Sequence, residues 1–245
     1  MLGEQGEPPK RLAGVDEAGR GPVLGPLVVA AVLVENERKL KRLGVKDSKL
    51  LSAKRREELE PEIRKLATQV EVRVIPPEEL NARMPGQNLN EIEVEAFAEL
   101  LERLAPTVAY VDACDVVAER FGRNVAARVT HVCAIHAEHE ADARHPIVAA
   151  ASIVAKVERD RRIAELQNAH GELGSGYSHD VVTQRWLADY VKANRRLPPF
   201  ARREWETSRR LMQRDLTEFL GPAPPPAPPA QAAKPKKAAA GSRRK

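Results

Sequence analysis

Acidic residues stand at or near the ends of three separate apolar segments of the chain. Carboxylate oxygens are ligands for hard divalent cations such as Mg²⁺, and two such ions about 3.5–4 Å apart hold the attacking water and the departing oxygen of a phosphodiester. Four carboxylates delivered to one place would suit that chemistry, whereas any one of them alone is more often a solvated or capping residue. These carboxylates are Asp16, Glu17, Asp112 and Asp142.

A glycine turn, Gly19-Arg20-Gly21, comes directly after the first two carboxylates. Successive side chains of a regular strand point to opposite faces, so we expect the strand to end at Asp16 if Asp16 and Glu17 face one site. Glycines ease such a change of backbone direction. A dinucleotide-binding turn is a poor alternative, because a helix should follow its glycines, whereas Pro22 and Pro26 lead here into a second apolar segment.

Strand and helix patterns alternate along the chain and must position these residues. Apolar, β-branched runs predict strands at residues 11–16, 27–34, 70–75, 108–111 and 129–135. Helical periodicity predicts helices at residues 53–67, 91–104, 181–194 and 201–220, the second capped by Asn90. A further helix begins at Pro146, is apolar on every side in its first turns, and is stopped by Gly171. This interleaving predicts an α/β domain.

The chain of 245 residues is long enough for one sizeable core with an appendage. We expect an N-terminal extension at 1–10, a catalytic domain at 11–198, a helical segment at 199–220 and a disordered, Pro/Ala/Lys-rich tail at 221–245. The formal charge is +5, but the tail holds six basic residues and no acid, so the remaining body is near −1. Bulk basicity is thus weak evidence, and a non-catalytic nucleic-acid-binding or adaptor protein acting through the tail is the alternative.

Other features bear on the compartment. No apolar run has the length of a membrane span, and the charged start of the chain lacks the apolar centre of a signal peptide. Cys114 and Cys133 are too few and too far apart for a disulfide scaffold or a zinc knuckle, which fits a reducing compartment. Four histidines between residues 131 and 145 lack the spacing of a zinc motif. We therefore expect a cytoplasmic protein with no membrane partner.

Seven short motifs follow one another in a characteristic order. They are AGVDEAGRGP at 13–22, KDSK at 46–49, LNE at 89–91, VDA at 111–113, ADA at 141–143, AASIVAK at 150–156 and GSGY at 174–177. In this order they resemble ribonuclease HII, particularly its archaeal forms, over about residues 11–210. Agreement of many motifs in order is far more specific than any single one.

The resemblance implies a ribonuclease H-like fold, with a mixed five-stranded sheet, flanking helices and a helical C-terminal part. It implies an endoribonuclease that hydrolyses the RNA strand of RNA/DNA hybrids. It also implies cutting 5′ to ribonucleotides embedded in duplex DNA, which leaves a 3′-hydroxyl and a 5′-phosphate. Asp16, Glu17, Asp112 and Asp142 match the family's catalytic, metal-binding carboxylates, which act with two Mg²⁺ or Mn²⁺ ions.

The same resemblance implies substrate contacts. Gly19, Arg20 and Gly21 match a turn that contacts the ribonucleotide beside the cut, and Tyr177 matches a tyrosine that packs on the sugar of the following deoxynucleotide. Together they would read an RNA/DNA junction, where the 2′-hydroxyl distinguishes the two sugars. Lys46 and Lys49 match phosphate contacts, which position a strand without reading its sequence, although a lysine in a surface loop is more often only solvated.

Three positions depart from the family pattern. Glu140 stands where a lysine is common, Ala149 replaces a frequent serine, and Ser178-His179 replaces a Pro-Ser pair. The negative charge of Glu140 is a reason to examine metal affinity and the choice between Mg²⁺ and Mn²⁺. Since all four carboxylates are present, loss of activity is not implied.

The sequence QRDLTEFL at 213–220 closes the last predicted helix. It resembles the box by which replication and repair proteins dock on a sliding clamp, with Gln213, then Leu216, then the bulky pair Phe219 and Leu220. Such boxes usually have a second aromatic residue at the position of Leu220. On a helix the three apolar side chains would project together into an apolar pocket, or else pack the helix onto the enzyme's own body. We expect the partners to be the nucleic-acid substrate and a sliding clamp, and the protein itself to be a monomer.

Overall fold

The computed structural model describes residues 11–45 and 50–220, and in its last helix the side chains as far as Gln213. Its strands are β1 (Leu12–Ala18), β2 (Leu27–Val34), β3 (Gln69–Ile75), β4 (Val108–Asp112) and β5 (Ala134–Glu138). Its helices are α1 (Arg38–Leu43), α2 (Ala53–Leu66), α3 (Pro77–Arg83), α4 (Leu89–Leu104), α5 (Ala118–Ala126), α6 (Ala141–Arg144), α7 (Pro146–His170), α8 (Val181–Asn194) and α9 (Glu206–Leu220).

Within the described part of the chain, the five strands form one mixed sheet in the order β3-β2-β1-β4-β5. Strands β1, β2 and β3 pair antiparallel, whereas β4 and β5 run parallel to β1. The expected mixed five-stranded sheet with flanking helices is confirmed. Because the carboxyl ends of β1 and β4 lie side by side, the acidic residues at those ends meet at one edge of the sheet.

Two apolar layers cover the sheet. Strand β2 is buried on both faces, and its side chains alternate between the layers. Leu27, Val29, Ala31 and Leu33 pack with α4 and α5, while Val28, Ala30, Val32 and Val34 pack with α7, α2 and α1. The continuous apolar run is therefore the signature of a central strand covered by helices.

Helix α7 has the predicted limits, from Pro146 to the residue before Gly171. Its first turns are buried on all sides, because they cross the middle of the sheet. Gly14 of β1 allows this approach, since a Cβ there would overlap the backbone of Ile147. None of the helices within 11–45 and 50–220 combines the length and apolar character that crossing a membrane requires.

Several predicted boundaries were wrong. The last strand was placed at 129–135 and lies at Ala134–Glu138, because the Glu102 carboxylate accepts hydrogen bonds from the amide and hydroxyl of Thr130 and holds that segment off the sheet. Helix α4 is capped by Asn88 rather than Asn90. Asn88 accepts from the amide of Glu91, whose carboxylate accepts in turn from the Asn88 amide.

The third error concerns the last helix, which begins at Glu206 and not near Ala201. The preceding residues instead pair with the loop between β1 and β2. Gly25 donates its amide to Phe200, and the Arg202 amide donates to Val23. A third apolar cluster, which includes Leu24, Ile163, Leu187 and Phe200, closes around this pairing and joins α7 and α8 to the loop.

Candidate active site

Asp16 and Glu17 lie within β1, which continues through Ala18 against β2. The expectation that the strand ends at Asp16 was therefore wrong, and the two side chains take opposite faces. Asp16 lies on the α7 side, near Ser152 and Lys156. Glu17 lies on the α4 side, near Glu93 and Cys114.

The ladder between β1 and β4 explains how both faces reach one site. Its register ends at Val15 opposite Val111, whereas the β1–β2 ladder runs on to Ala18. Beyond Val15 the carboxyl end of β1 thus lacks its neighbour on that side. The space beside β1 beyond this point can be reached by side chains from both faces of the strand. Asp112, the last residue of β4, lies at the same place.

Asp112 connects the strand ends to the fourth carboxylate. Its Oδ1 accepts a hydrogen bond of 3.0 Å from the amide of Ala141, the first residue of the short helix α6. Asp142 is the next residue and is buried at 2% exposure. Glu140, one of the departures from the family pattern, precedes this turn in a left-handed conformation with φ of 54°.

The carboxylates repel one another. Burial raises the pKa of Asp16 well above its ordinary range, and the charges of Glu17 and Asp112 raise it further against the opposing charge of Lys156. Burial also raises the pKa of Glu17 to about 7, with repulsion from Glu93 and Asp112 added. Bringing several buried carboxylates together is unfavourable without a counter-charge. Hard divalent cations bind such anionic oxygens, so the residues present fit an ion of this kind.

The glycine turn stands beside Glu17. Gly19 has a φ of +91°, and a Cβ there would lie 2.7 Å from both the Pro26 carbonyl oxygen and Arg159 Cδ, so only glycine fits. The Arg20 guanidinium turns back into the protein, where it pairs with Glu93 and donates to Asn90 Oδ1. The Arg20 side chain is thereby held against the protein, while Gly21 is exposed.

Tyr177 lies across from this turn. A Cβ on Gly21 would be in ordinary contact with the Tyr177 ring, at 3.7 Å from Cε1. The ring is covered by Arg159, whose guanidinium carbon is 4.8 Å from the ring centroid and whose Nη2 donates to the Ser175 carbonyl. His179, at another departure from the family pattern, lies against Tyr177 with ring centroids 5.3 Å apart.

Comparison with known proteins adds to this geometry. A family model described as Ribonuclease HII matches residues 13–208. The chain belongs to the ribonuclease HII family. It is therefore an enzyme, an endonuclease with ribonuclease H activity.

Individual ribonuclease HII proteins agree closely with the chain. The ribonuclease HII of Archaeoglobus fulgidus is 48% identical over 207 residues, which cover 84% of this chain and 99% of that protein. The crystal structure of ribonuclease H2 from Pyrococcus horikoshii superposes with a TM-score of 0.79 at 42% identity and covers 84% and 99% of the two chains. A PCNA:RNase HII complex from A. fulgidus contains a chain that matches with a TM-score of 0.75 at 46% identity, over 80% and 95%.

Sequence reasoning on the ribonuclease HII motifs missed several residues of the site. Glu93 is fully buried beside Arg20, and the Cys114 sulfhydryl donates to Glu17 Oε2 at 3.2 Å. Burial raises the pKa of Glu93 to about 7 against the charge of Arg20, and burial also raises that of the Cys114 thiol. Glu93 could have been found, because it occupies a core position of α4 where an apolar residue is expected.

Six predicted contact residues remain predictions. Lys46 and Lys49 lie outside the described residues. Gln213 is exposed on α9. The other members of the clamp box belong to the same helix, but their side chains are outside the described part: Leu216, Phe219 and Leu220.

Proposed function

We propose that this enzyme cuts on the 5′ side of ribonucleotides embedded in duplex DNA, as well as within RNA/DNA hybrids, and leaves a 3′-hydroxyl and a 5′-phosphate. The observation that carries the proposal is the convergence of carboxylates at the carboxyl ends of β1 and β4, where burial and then mutual repulsion raise the pKa of Asp16 and Glu17. A nucleic acid is itself anionic, so such a cluster favours a phosphodiester only with bound cations.

In the proposed site, Asp16, Glu17, Asp112 and Asp142 hold two Mg²⁺ or Mn²⁺ ions. When bound, the ions supply an activated water and stabilise the charge that gathers on the phosphate and the leaving oxygen. The hydrogen bond from the Ala141 amide to Oδ1 orients the Asp112 carboxylate. Lys156, whose Nζ donates to Ser152 Oγ at 2.5 Å, offsets part of the negative charge around Asp16.

Recognition of the ribonucleotide rests on the surface formed by the glycine turn and Tyr177. Backbone groups of Gly19, Arg20 and Gly21 approach a ribose closely because the glycines have no side chains, and the 2′-hydroxyl both donates and accepts hydrogen bonds. The Tyr177 ring, which is covered by Arg159 and has His179 against it, is proposed to pack on the next sugar. Lys46 and Lys49 are proposed to bind phosphates.

The test uses a labelled duplex that contains one ribonucleotide, with an all-DNA duplex of the same sequence as control. With Mg²⁺ we expect a single cut at the 5′ side of the ribonucleotide, a 3′ end that a polymerase extends, and a 5′ end that requires no kinase before ligation. Chelator should abolish the cut. Cutting on the 3′ side, or equal cutting of the all-DNA duplex, would contradict the proposal.

A second proposal concerns a partner. The A. fulgidus relative has been solved as a PCNA:RNase HII complex. In this chain Gln213 is exposed, and α9 continues through Leu220 to the end of the described residues. We propose that this end of α9 docks on a sliding clamp through Leu216, Phe219 and Leu220, and that the tether raises the local concentration of enzyme on DNA.

A further inference from the structure

Arg202 is an arginine with no exposed surface. It lies between α8 and α9, and its side chain reaches the turn that follows β1. Nε donates to the carbonyl of Gly25 at 2.9 Å, Nη1 to that of Arg20 at 3.1 Å, and Nη2 to that of Gly19 at 2.6 Å. The planar fork of donors in a guanidinium thus binds three neutral carbonyl dipoles of one loop.

This arrangement is unfavourable for packing alone. Burial and, after it, the positive charge of Arg159 lower the pKa of Arg202 to about 9, against the opposing effects of Tyr177 and Glu93. An apolar side chain of the same volume would avoid the desolvation of a charge. Two kinds of contact favour an arginine here: the hydrogen bonds to the three loop carbonyls, and the stacking of the guanidinium on the Trp205 ring, whose centroid is 4.8 Å from Cζ.

The backbone of the segment is held independently of this side chain. The Arg202 amide donates to Val23, Leu24 pairs with Ala201, and the Gly25 amide donates to Phe200. Removal of the guanidinium leaves these contacts in place. Its removal instead frees the peptide groups at Gly19 and Arg20, which precede the paired residues Val23 to Gly25 in the chain.

Peptide geometry gives that restraint a consequence. The C=O and N–H of one peptide group point in opposite directions. Because the carbonyls of Gly19 and Arg20 are directed at the buried guanidinium, the amides of Arg20 and Gly21 are directed away from it. Gly21 is the exposed member of the turn, and it is in contact range of Tyr177.

We propose that Arg202 is a positioning residue for ribonucleotide recognition: it fixes two peptide groups of the glycine turn so that their amides face the 2′-hydroxyl of the substrate. The proposal rests on the proposed function of that turn. Arg202 itself does not touch substrate. Its loss should therefore weaken the distinction between ribose and deoxyribose more than it weakens binding of the duplex as such.

The experiment compares the wild-type full chain with Arg202→Met, which keeps the volume without donors, and Arg202→Lys, which keeps the charge without the fork. Arg203→Met is the matched control, since Arg203 is the exposed neighbour. Two quantities are measured with Mg²⁺: the KM for a duplex with one ribonucleotide, and the Ki of an all-DNA duplex of the same sequence as competitor. The ratio of Ki to KM reports the contribution of the 2′-hydroxyl.

We expect Arg202→Met to lower this ratio by roughly tenfold to a hundredfold, with the Ki for all-DNA duplex within about twofold of wild type. The ratio for Arg202→Lys should lie between those of Arg202→Met and wild type, and the ratio for Arg203→Met should equal that of wild type. A folded Arg202→Met with the wild-type ratio would overturn the proposal, as would an equal rise of KM and Ki. If Arg202→Met fails to fold, Arg202→Lys decides by the same ratio. A wild-type ratio near one would overturn the function proposed for the turn and this inference with it.

Discussion

Asp16 and Arg202 are charged side chains that the fold buries almost completely, and the physical solutions differ. Arg202 is satisfied within the chain, because three carbonyl dipoles of one loop meet its guanidinium. Asp16 has like charges for neighbours, and burial together with Glu17 and Asp112 raises its pKa. Arg202 therefore has its hydrogen-bond partners within the folded protein, whereas Asp16 is suited to binding a cation from solution.

This difference leads to a prediction for Asp16→Asn and Asp112→Asn. Cleavage with Mg²⁺ should fall by on the order of a hundredfold or more, because each substitution removes a charged ligand. The melting temperature without metal should stay the same or rise, because one repelling charge is lost. Steady-state cleavage and thermal melting in chelator measure the two effects.

Asp189→Asn, an exposed acid on α8, is the control for both measurements and should change neither. If Asp16→Asn or Asp112→Asn cleaves at the wild-type rate and melts normally, that residue does not belong to the metal site.

Glu17 makes the stability of the metal-free enzyme depend on pH. Its pKa is raised from 4.5 to about 7, so between these values the folded state retains a proton that the unfolded state has lost. The free energy of unfolding should therefore fall as pH rises from 4.5 to 7, and should change little from this source above that range. Melting curves in chelator at pH 5, 6 and 7 measure the trend.

Glu17→Gln should reduce that slope without removing it, because the raised pKa values of Asp16 and Glu93 act in the same direction, and saturating Mg²⁺ should reverse the loss near pH 7. An unchanged slope in Glu17→Gln would mean that another group is responsible.

Tyr177 should matter through its ring rather than its hydroxyl. Tyr177→Ala removes the surface that lies between Gly21 and Arg159 and should lower cleavage at a lone ribonucleotide by about tenfold, in line with other aromatic contacts to nucleotides. Tyr177→Phe keeps the ring and should retain most of the activity. If Tyr177→Ala is as active as wild type, Tyr177 contributes to packing and not to substrate recognition.

At the scale of elements, the helix and strand ends that depend on neighbouring residues were predicted, and those that depend on distant contacts were not. Helix α7 has the expected ends because Pro146 starts a helix well and Gly171 stops one. The four carboxylates were predicted from the short motifs that carry them. The start of β5 was missed, because a side chain from α4, Glu102, binds the amide of Thr130, 28 residues away. Arg202 was missed because a basic residue among others in a polar segment gives no sign of burial.

The contact between β1 and α7 provides a prediction at this scale. Gly14→Ala should place a Cβ against the backbone of Ile147 and destabilise the protein by about 1–3 kcal/mol, the usual range for overpacking. Because Asp16 and Ser152 lie further along these two elements, cleavage should fall as well. Thermal melting and cleavage assays of the purified variant measure both changes.

Gly86→Ala is the matched control, since the nearest atom to a Cβ there is 3.9 Å away. A Gly14→Ala variant as stable as Gly86→Ala would contradict the close packing of β1 and α7.

At the scale of the whole molecule, catalysis and docking are expected to occupy different parts of the chain. A peptide of residues 208–222 should bind the cognate sliding clamp in calorimetry, and Phe219→Ala in the full chain should lose that binding. Cleavage of a short duplex, which gains nothing from a clamp, should be unchanged.

Thr217→Ala changes a position within the same segment that is not one of the four box residues, and it should bind the clamp as wild type does. A peptide that shows no binding, or a Phe219→Ala variant with a strongly lowered melting temperature, would mean that this end of α9 packs on the enzyme itself.

The pairing of Arg202 with Gly19 joins residues 183 positions apart. A ribosome releases the carboxylate-bearing strands well before it releases that arginine, and at roughly 5–20 residues per second the delay between Asp142 and Arg202 is several seconds. During this interval the nascent chain carries the complete acidic set beside an unsupported glycine turn. We expect a product of premature termination before codon 202 to discriminate ribose poorly, so full translation is a condition for selective cutting.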